Sequence, residues 1–182
     1  MSDSDSNTQT EIERVDIDNS RDPATAAYVF NHTMLRVKDP DASLAFYTRI
    51  LGFSLARRVD FHEAKFSLYF LVIADQIPAG DDEAKRQWLA TQRGVLELTH
   101  NHGTETREGT IYHDGNREPR GFGHLCISVP DIQVACARFE RLGVPFQKRL
   151  TEGAMRDIAF IKDPDGYWIE IIQPAPLSAD RP

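Results

Sequence analysis

The sequence predicts an α+β fold built from two copies of a βαβββ module. A repeated strand, a repeated helix stop and the same run of strands after each stop carry that prediction. His32-Thr-Met-Leu-Arg-Val-Lys-Asp39 in the first half answers His124-Leu-Cys-Ile-Ser-Val-Pro-Asp131 in the second. Both alternate with the period of two that sends successive side chains to opposite faces of a sheet. Each leads into a helical pattern that closes at Leu-Gly, at Leu51-Gly52 and at Leu142-Gly143. Glycine there supplies the left-handed residue that ends a helix.

The first helix is predicted from Leu44, Tyr47 and Leu51 at i, i+3 and i+7, and the second from Ile132, Ala135, Cys136 and Phe139 at i, i+3, i+4 and i+7. Strands follow over 54–59, 66–73 and 95–99 in the first module, and over 145–148, 158–162 and 167–172 in the second. Asp163-Pro-Asp-Gly166 is a tight-turn sequence joining the last two strands. Residues 75–93 take its place in the first module. They read as a loop and a helix, with Pro78 before it, Asp81, Asp82 and Glu83 in its first turn and Arg93 at its end. His32 and Glu97 are 65 residues apart and His124 and Glu170 are 46 apart, a difference of 19 that equals the length of this insert. Residues 1–25 are polar and read as a flexible arm; residues 26–173 form the folded body, with modules at about 28–102 and 120–173; residues 174–182 form a tail.

Composition limits the partners. The chain has 182 residues, with 21 Lys and Arg against 28 Asp and Glu, a formal charge of −7. That balance argues against a nucleic-acid or acidic-membrane binder, and leaves room for a local basic pocket. No apolar run approaches the length of a membrane helix, and the N-terminus lacks a signal peptide's apolar stretch, so a cytoplasmic protein is expected. Asn31-His32-Thr33 fits a glycosylation pattern that carries no weight without secretion. Cys126 and Cys136 sit among apolar residues and read as reduced core thiols.

The repeat also pairs a His at the start of each first strand with a Glu in each last strand: His32 with Glu97, and His124 with Glu170. A strand glutamate between apolar neighbours must face water or find a cation. Either glutamate alone reads as a surface residue. Two at equivalent positions, each matched to a histidine, read as ligands. His₂Glu₂ suits Zn²⁺, Ni²⁺, Co²⁺ or Fe²⁺ and leaves positions open for substrate oxygens or water. His100 and His102 share a face of a strand continuation but run into a polar loop, and His62 and His113 read as solvated. Arg36, on the face of His32, and Arg120, four residues before His124, stand near proposed ligands and suit an anionic substrate. Phe61, Phe66, Leu68, Phe70, Met155 and Phe160 read as core rather than pocket. Phosphate loops, Cys-x-x-Cys pairs and nucleophile elbows are absent from the sequence.

The stretches His32-Thr-Met-Leu-Arg-Val-Lys-Asp-Pro40, Phe66-Ser-Leu-Tyr-Phe70, Leu96-Glu-Leu-Thr-His-Asn101, Pro119-Arg-Gly-Phe-Gly-His124 and Asp163-Pro-Asp-Gly-Tyr-Trp-Ile-Glu170 resemble the glyoxalase I (lactoylglutathione lyase) family of the vicinal-oxygen-chelate superfamily, in order and over about residues 22–174. The resemblance implies the vicinal-oxygen-chelate fold, and a homodimer with active sites between chains. It implies one divalent metal held by His32, Glu97, His124 and Glu170, with Glu170 as the catalytic base. It implies glutathione as co-substrate, its γ-glutamyl end at Arg36, Asn101 and Arg120 and its glycyl carboxylate near Lys148. A further family lysine falls on Ala154, with Arg156 nearby. His32 points towards the short bacterial, sometimes nickel-dependent, enzymes, whereas animal-type enzymes commonly carry Gln there. The insert points to the longer enzymes, and zinc is favoured.

The implied reaction isomerises the methylglyoxal–glutathione hemithioacetal to S-D-lactoylglutathione through an enediolate, a detoxifying lyase activity. The alternatives are another metal-dependent enzyme of the superfamily, an extradiol dioxygenase or an epimerase, or a non-catalytic ligand-sequestering protein. Dioxygenases usually use two His and one Glu, so a fourth ligand counts against them. Sequestering relatives typically lack the quartet.

Overall fold

The computed structural model describes residues 19–174. Most of the expected N-terminal arm and all but the first residue of the expected tail lie outside that range.

The first module runs β1 (His32–Val37), α1 (Pro40–Ala45), a π-helical turn (Phe46–Ile50), β2 (Ser54–Phe61), β3 (Phe66–Val72), α2 (Asp82–Thr91) and β4 (Val95–Asn101). The second runs β5 (His124–Ser128), α3 (Ile132–Arg141), β6 (Phe146–Lys148), β7 (Ala159–Lys162) and β8 (Trp168–Ile172). Each module is a four-stranded mixed sheet, in the orders β1-β4-β3-β2 and β5-β8-β7-β6. In each, the first strand pairs parallel with the last and the other pairs are antiparallel. The expected α+β fold with two βαβββ modules is therefore present.

The repeat extends to single hydrogen bonds. Asp39 Oδ1 caps α1 by accepting from the N–H groups of Asp41 and Ala42, and Asp131 Oδ1 caps α3 by accepting from those of Gln133 and Val134. Seven residues separate His32 from Asp39, and seven separate His124 from Asp131. From cap to stop, however, Asp39 to Gly52 spans thirteen residues and Asp131 to Gly143 twelve. The extra residue is absorbed by the π-helical turn, the usual form of a one-residue helix insertion. Another extra residue falls between Gly52 and Phe70, relative to Gly143 and Phe160. The β3–β4 connection therefore accounts for 17 of the 19 additional residues, not all of them. α2 starts one residue later than its acidic cluster suggests, because Asp81 is its cap, accepting from Ala84 N–H.

The two sheets turn their inner faces, with the first helix of each module, to one shared core, while α2 packs Leu89 against Ala56, Val72 and Val95 in a second, smaller cluster. Leu35, Val37, Tyr47, Leu71 and Leu98 of the first module join Ile132, Phe139, Ile161, Ile169 and Ile171 of the second. Polar contacts fasten the junction. Tyr47 Oη donates to Asp163 Oδ2 at 2.9 Å, Lys38 N–H to Asp165 Oδ1 at 3.0 Å, and Arg138 to the carbonyls of Ile50 and Arg49. The Asp163-Pro-Asp-Gly166 turn thus closes its hairpin and also docks it on the first module.

The shared core uses up one face of each sheet. The opposite faces point outwards, and strand parity decides what they carry: His32, Met34 and Arg36 on β1, and His124, Cys126 and Ser128 on β5, are all exposed. In the loop before β5, Gly115, whose φ is +88°, lies against the backbone of Phe122, where a Cβ would collide with the Phe122 carbonyl. Only glycine fits that approach.

Candidate metal centre

Each outer face carries one His–Glu pair, and register fixes its position. Glu97 of β4 lies opposite Met34, two residues along from His32, and its other neighbour is Phe70 of β3. Glu170 of β8 lies opposite Cys126, two residues along from His124, and its other neighbour is Phe160 of β7. In each pair the histidine Nε2 is 3.3 Å from the glutamate Oε2. An aromatic edge packs on each imidazole: Phe70 at 6.4 Å from His32 and Phe160 at 5.3 Å from His124. The histidines are 44% and 40% exposed and the glutamates 13% and 20%. These are therefore open half-sites with a fixed carboxylate floor.

The spacing fits a shared cation. A charge-assisted N–H···O bond is about 2.7–2.9 Å long, shorter than either pair. Two donors about 2.1 Å from one ion, at tetrahedral to octahedral angles, stand about 3.0–3.4 Å apart. The donor set, imidazole nitrogen and carboxylate oxygen, suits a divalent transition metal.

Within one chain the four residues come together in pairs only. Among the described residues no group of three or more His, Cys, Asp or Glu side chains is placed to hold a metal ion. The reason is architectural: the two outer faces belong to sheets whose inner faces share one core.

Arg36 lies on the face of His32, and its backbone carbonyl accepts from Tyr167 Oη at 3.1 Å. Asn101 ends β4 and donates through Nδ2 to Tyr112 Oη at 2.9 Å. Arg120 is exposed and pairs with Glu118 at 3.0 Å. Lys148 differs, because its ammonium donates to the carbonyls of Met155, Ile158 and Arg149 at 2.6, 2.7 and 3.3 Å. It organises the loop that carries Ala154 and Arg156.

Two expectations need correction, and the two histidines of the β4 end gain partners. Cys126 is not a core thiol: it shares the strand parity of His124 and is exposed, whereas Cys136 is buried. Partial burial and the neighbouring Glu170 carboxylate push the Cys126 thiol up to about 11. Phe61 and Met155 are exposed, and Phe66 and Leu68 are half-buried on the outer face of their sheet; Phe70, opposite Glu97, is half-buried against the cluster under α2, and Phe160 is buried. His100 points inwards, where its Nε2 meets Glu105 Oε2 at 2.7 Å, and His102 Nε2 meets Ser67 Oγ at 2.9 Å. Both histidines are engaged in the scaffold.

Two residues given no role at the site by the sequence touch the first pair. Thr99 Oγ1 donates to Glu97 Oε1 at 3.3 Å, and Asn31 Oδ1 is 2.8 Å from His32 Nδ1. A cavity of about 170 Å³, lined by Asn31, His32, Arg57, Phe70, Leu89 and Val95, opens between α2 and the sheet.

Residues 29–171 match the Glyoxalase/Bleomycin resistance protein/Dioxygenase superfamily. The chain is 66% identical over 158 residues to a lactoylglutathione lyase of Pseudomonas putida, covering 86% of this chain and 91% of that protein. The chain belongs to the lactoylglutathione lyase family of that superfamily. It is 57% identical over 154 residues to the Pseudomonas aeruginosa lactoylglutathione lyase, covering 84% of this chain and 86% of that one. Among solved structures it superposes on a trypanothione-dependent glyoxalase I of Leishmania major with a TM-score of 0.61 at 32% identity, covering 80% of this chain and 86% of that one. Membership in a lyase family implies a metal and glutathione as co-substrate, and the two His–Glu pairs are the donor sets that fit the metal. Among the described residues no helix is long and apolar enough to cross a membrane.

Proposed function

We propose that this chain is a metal-dependent lactoylglutathione lyase that works as a homodimer. The observation that carries the proposal is the duplicated His–Glu pair, in identical register and at 3.3 Å in both modules, on outward faces that one chain leaves uncovered. A second copy related by a two-fold axis sets the first-module pair of one chain against the second-module pair of the other, and two equivalent His₂Glu₂ centres result. The half-buried and exposed aromatics beside Glu97 then become the walls of the site.

The substrate is the hemithioacetal of methylglyoxal and glutathione. A divalent cation, zinc in preference to nickel, would be held by His32, Glu97, His124 and Glu170 and would supply positive charge that favours ionisation of the weakly acidic C1–H. Glu170 takes the C1 proton, leaving an enediolate, and returns it to C2 while the C1 hydroxyl proton passes to the C2 oxygen, giving S-D-lactoylglutathione, an isomer of the substrate, with no redox cofactor. Glu97, steadied by Thr99, remains a ligand. Arg36, Asn101 and Arg120 hold the γ-glutamyl end of glutathione. Lys148 meets the glycyl carboxylate by exchanging one of its loop carbonyls, with Arg156 on the same loop. The cytoplasm, where glutathione is abundant, is the proposed location.

The test is thioester formation from methylglyoxal and glutathione, followed by absorbance. Chelation of the metal is expected to abolish it and added Zn²⁺ or Ni²⁺ to restore it, the larger restored rate identifying the preferred ion. Undiminished turnover in a verified metal-free preparation would overturn the proposal.

A further inference from the structure

The insert that lengthens the first module ends beside a metal ligand, and one side chain joins them. Asn31 Nδ2 donates to Leu89 O at 2.7 Å and to Gln92 O at 3.0 Å, the carbonyls at the C-terminal end of α2. Carbonyl oxygens only accept, so the amide nitrogen must face them. Asn31 Oδ1 is then the atom 2.8 Å from His32 Nδ1. An amide oxygen also only accepts, so Nδ1 carries the hydrogen. The Nε2 lone pair is left facing Glu97 Oε2, 3.3 Å away. Asn31 is itself anchored, its backbone carbonyl accepting from Val95 N–H at 3.0 Å as β4 begins. The second module has no counterpart, because Gly123 precedes His124 and a tight turn replaces the insert.

We infer that Asn31 is a positioning residue that fixes the metal-binding tautomer of His32 and couples the α2 insert to the metal centre. This rests on the proposed metal centre. A ligating histidine whose second nitrogen is held by an oriented acceptor loses no binding energy to tautomer exchange or ring rotation, and loss of such a partner typically costs about 10–100-fold in metal affinity. The coupling is reciprocal: whatever seats His32 on a metal steadies Asn31 and, through it, the last turn of α2. The insert thereby acts on the chemistry as well as on the wall of the adjoining cavity.

Two variants separate the links. Asn31→Ala removes both. Asn31→Asp keeps an acceptor for Nδ1–H and removes the donor to Leu89 and Gln92. Zn²⁺ affinity, measured by competition with a chromophoric chelator on the full chain, is expected to fall about 10–100-fold in Asn31→Ala and to recover substantially in Asn31→Asp. Imidazole nitrogen NMR of the metal-free protein is expected to report His32 as the Nδ1–H form in the parent and in Asn31→Asp, and as a mixture in Asn31→Ala. Zn²⁺ is expected to slow amide exchange at the end of α2 in the parent only. Unchanged Zn²⁺ affinity in Asn31→Ala, or an Nδ1–H tautomer that survives it, would overturn the assignment. So would failure of Asn31→Asp, correctly folded, to retain that tautomer. The tautomer readout needs neither metal nor turnover, so a failure of the lyase reading is seen separately, as lack of Zn²⁺ binding or of thioester formation in the parent.

Discussion

The two half-sites have the same backbone and the same ligand types but are braced to different degrees. In the first module His32 is held by Asn31 and Glu97 by Thr99. In the second, Gly123 and Ile172 stand at the corresponding positions and offer no side-chain hydrogen bond, and Glu170 has the Cys126 thiol for a neighbour. A thiol is a weak donor compared with a hydroxyl. Duplication thus supplies two donor pairs of the same type, and on the proposed mechanism the substitutions around them fit unequal tasks: a fixed ligand pair in one module, and in the other a carboxylate with room to leave its ligand position and carry a proton.

The sharpest way to break this contrast is to neutralise each carboxylate in turn. Glu170→Gln is expected to keep metal and lower kcat by about 10²–10⁴-fold, the usual contribution of a positioned base. Glu97→Gln is expected to weaken metal binding first, with turnover recovering at high metal concentration. Metal titration beside steady-state kinetics distinguishes the two, and the opposite pattern would exchange their roles.

The contrast also extends along β1 and β5, where Arg36 corresponds to Ser128. Only the first module places a cation four residues past its histidine. Loss of one charge-assisted contact costs about 1.5–3 kcal/mol, so Arg36→Ala is expected to weaken binding of glutathione substrate about tenfold or more. Ser128→Ala should change it little. Equal effects from the two would remove Arg36 from the anion clamp.

Much of this was legible in the sequence, because strand parity and the repeat are both written in residue spacing. His32 with Glu97 and His124 with Glu170 emerge as pairs from alignment of the two halves, and the structure sets both at 3.3 Å. The same parity places Cys126 with His124 on an outer face, yet its apolar neighbours argued for burial. Phe66 and Leu68 misled in the same way: β3 is apolar on both faces, and apolar character alone does not tell the core face from the outer one. Asn31 could not be found by spacing at all. Its partners, Leu89 O and Gln92 O, are backbone atoms some sixty residues away that only the folded insert brings near.

The junctions differ as well. Where the first module has the α2 insert, the second has the Asp163-Pro-Asp-Gly166 turn, docked on Tyr47. Burial raises the Asp163 carboxyl to about 7. Folding therefore favours its neutral form, and the stability it contributes is complete below the ordinary carboxyl pKa of about 3.9 and is lost as pH rises through about 7. The urea midpoint of the parent is expected to decline between pH 5 and pH 8.5, and Asp163→Asn, neutral throughout, should show a flatter profile. Parallel profiles would remove Asp163 from that dependence. This effect is on stability alone and leaves the His–Glu pairs untouched.

The central claim is that a half-site from one copy completes a half-site from another, and complementation tests it most directly. His32→Ala disables the first-module pair and Glu170→Gln the second-module pair, so each variant alone has no intact centre. In a mixed dimer, one of the two centres collects both substitutions and the other collects neither. With random two-fold pairing about half the dimers are mixed and each has one working centre, so an equal mixture refolded together is expected to recover about a quarter of the parent activity. Recovery at that level, in step with a dimer of two different variants by mass, is the predicted result. A mixture that forms such dimers yet stays as inactive as either variant alone would contradict the account.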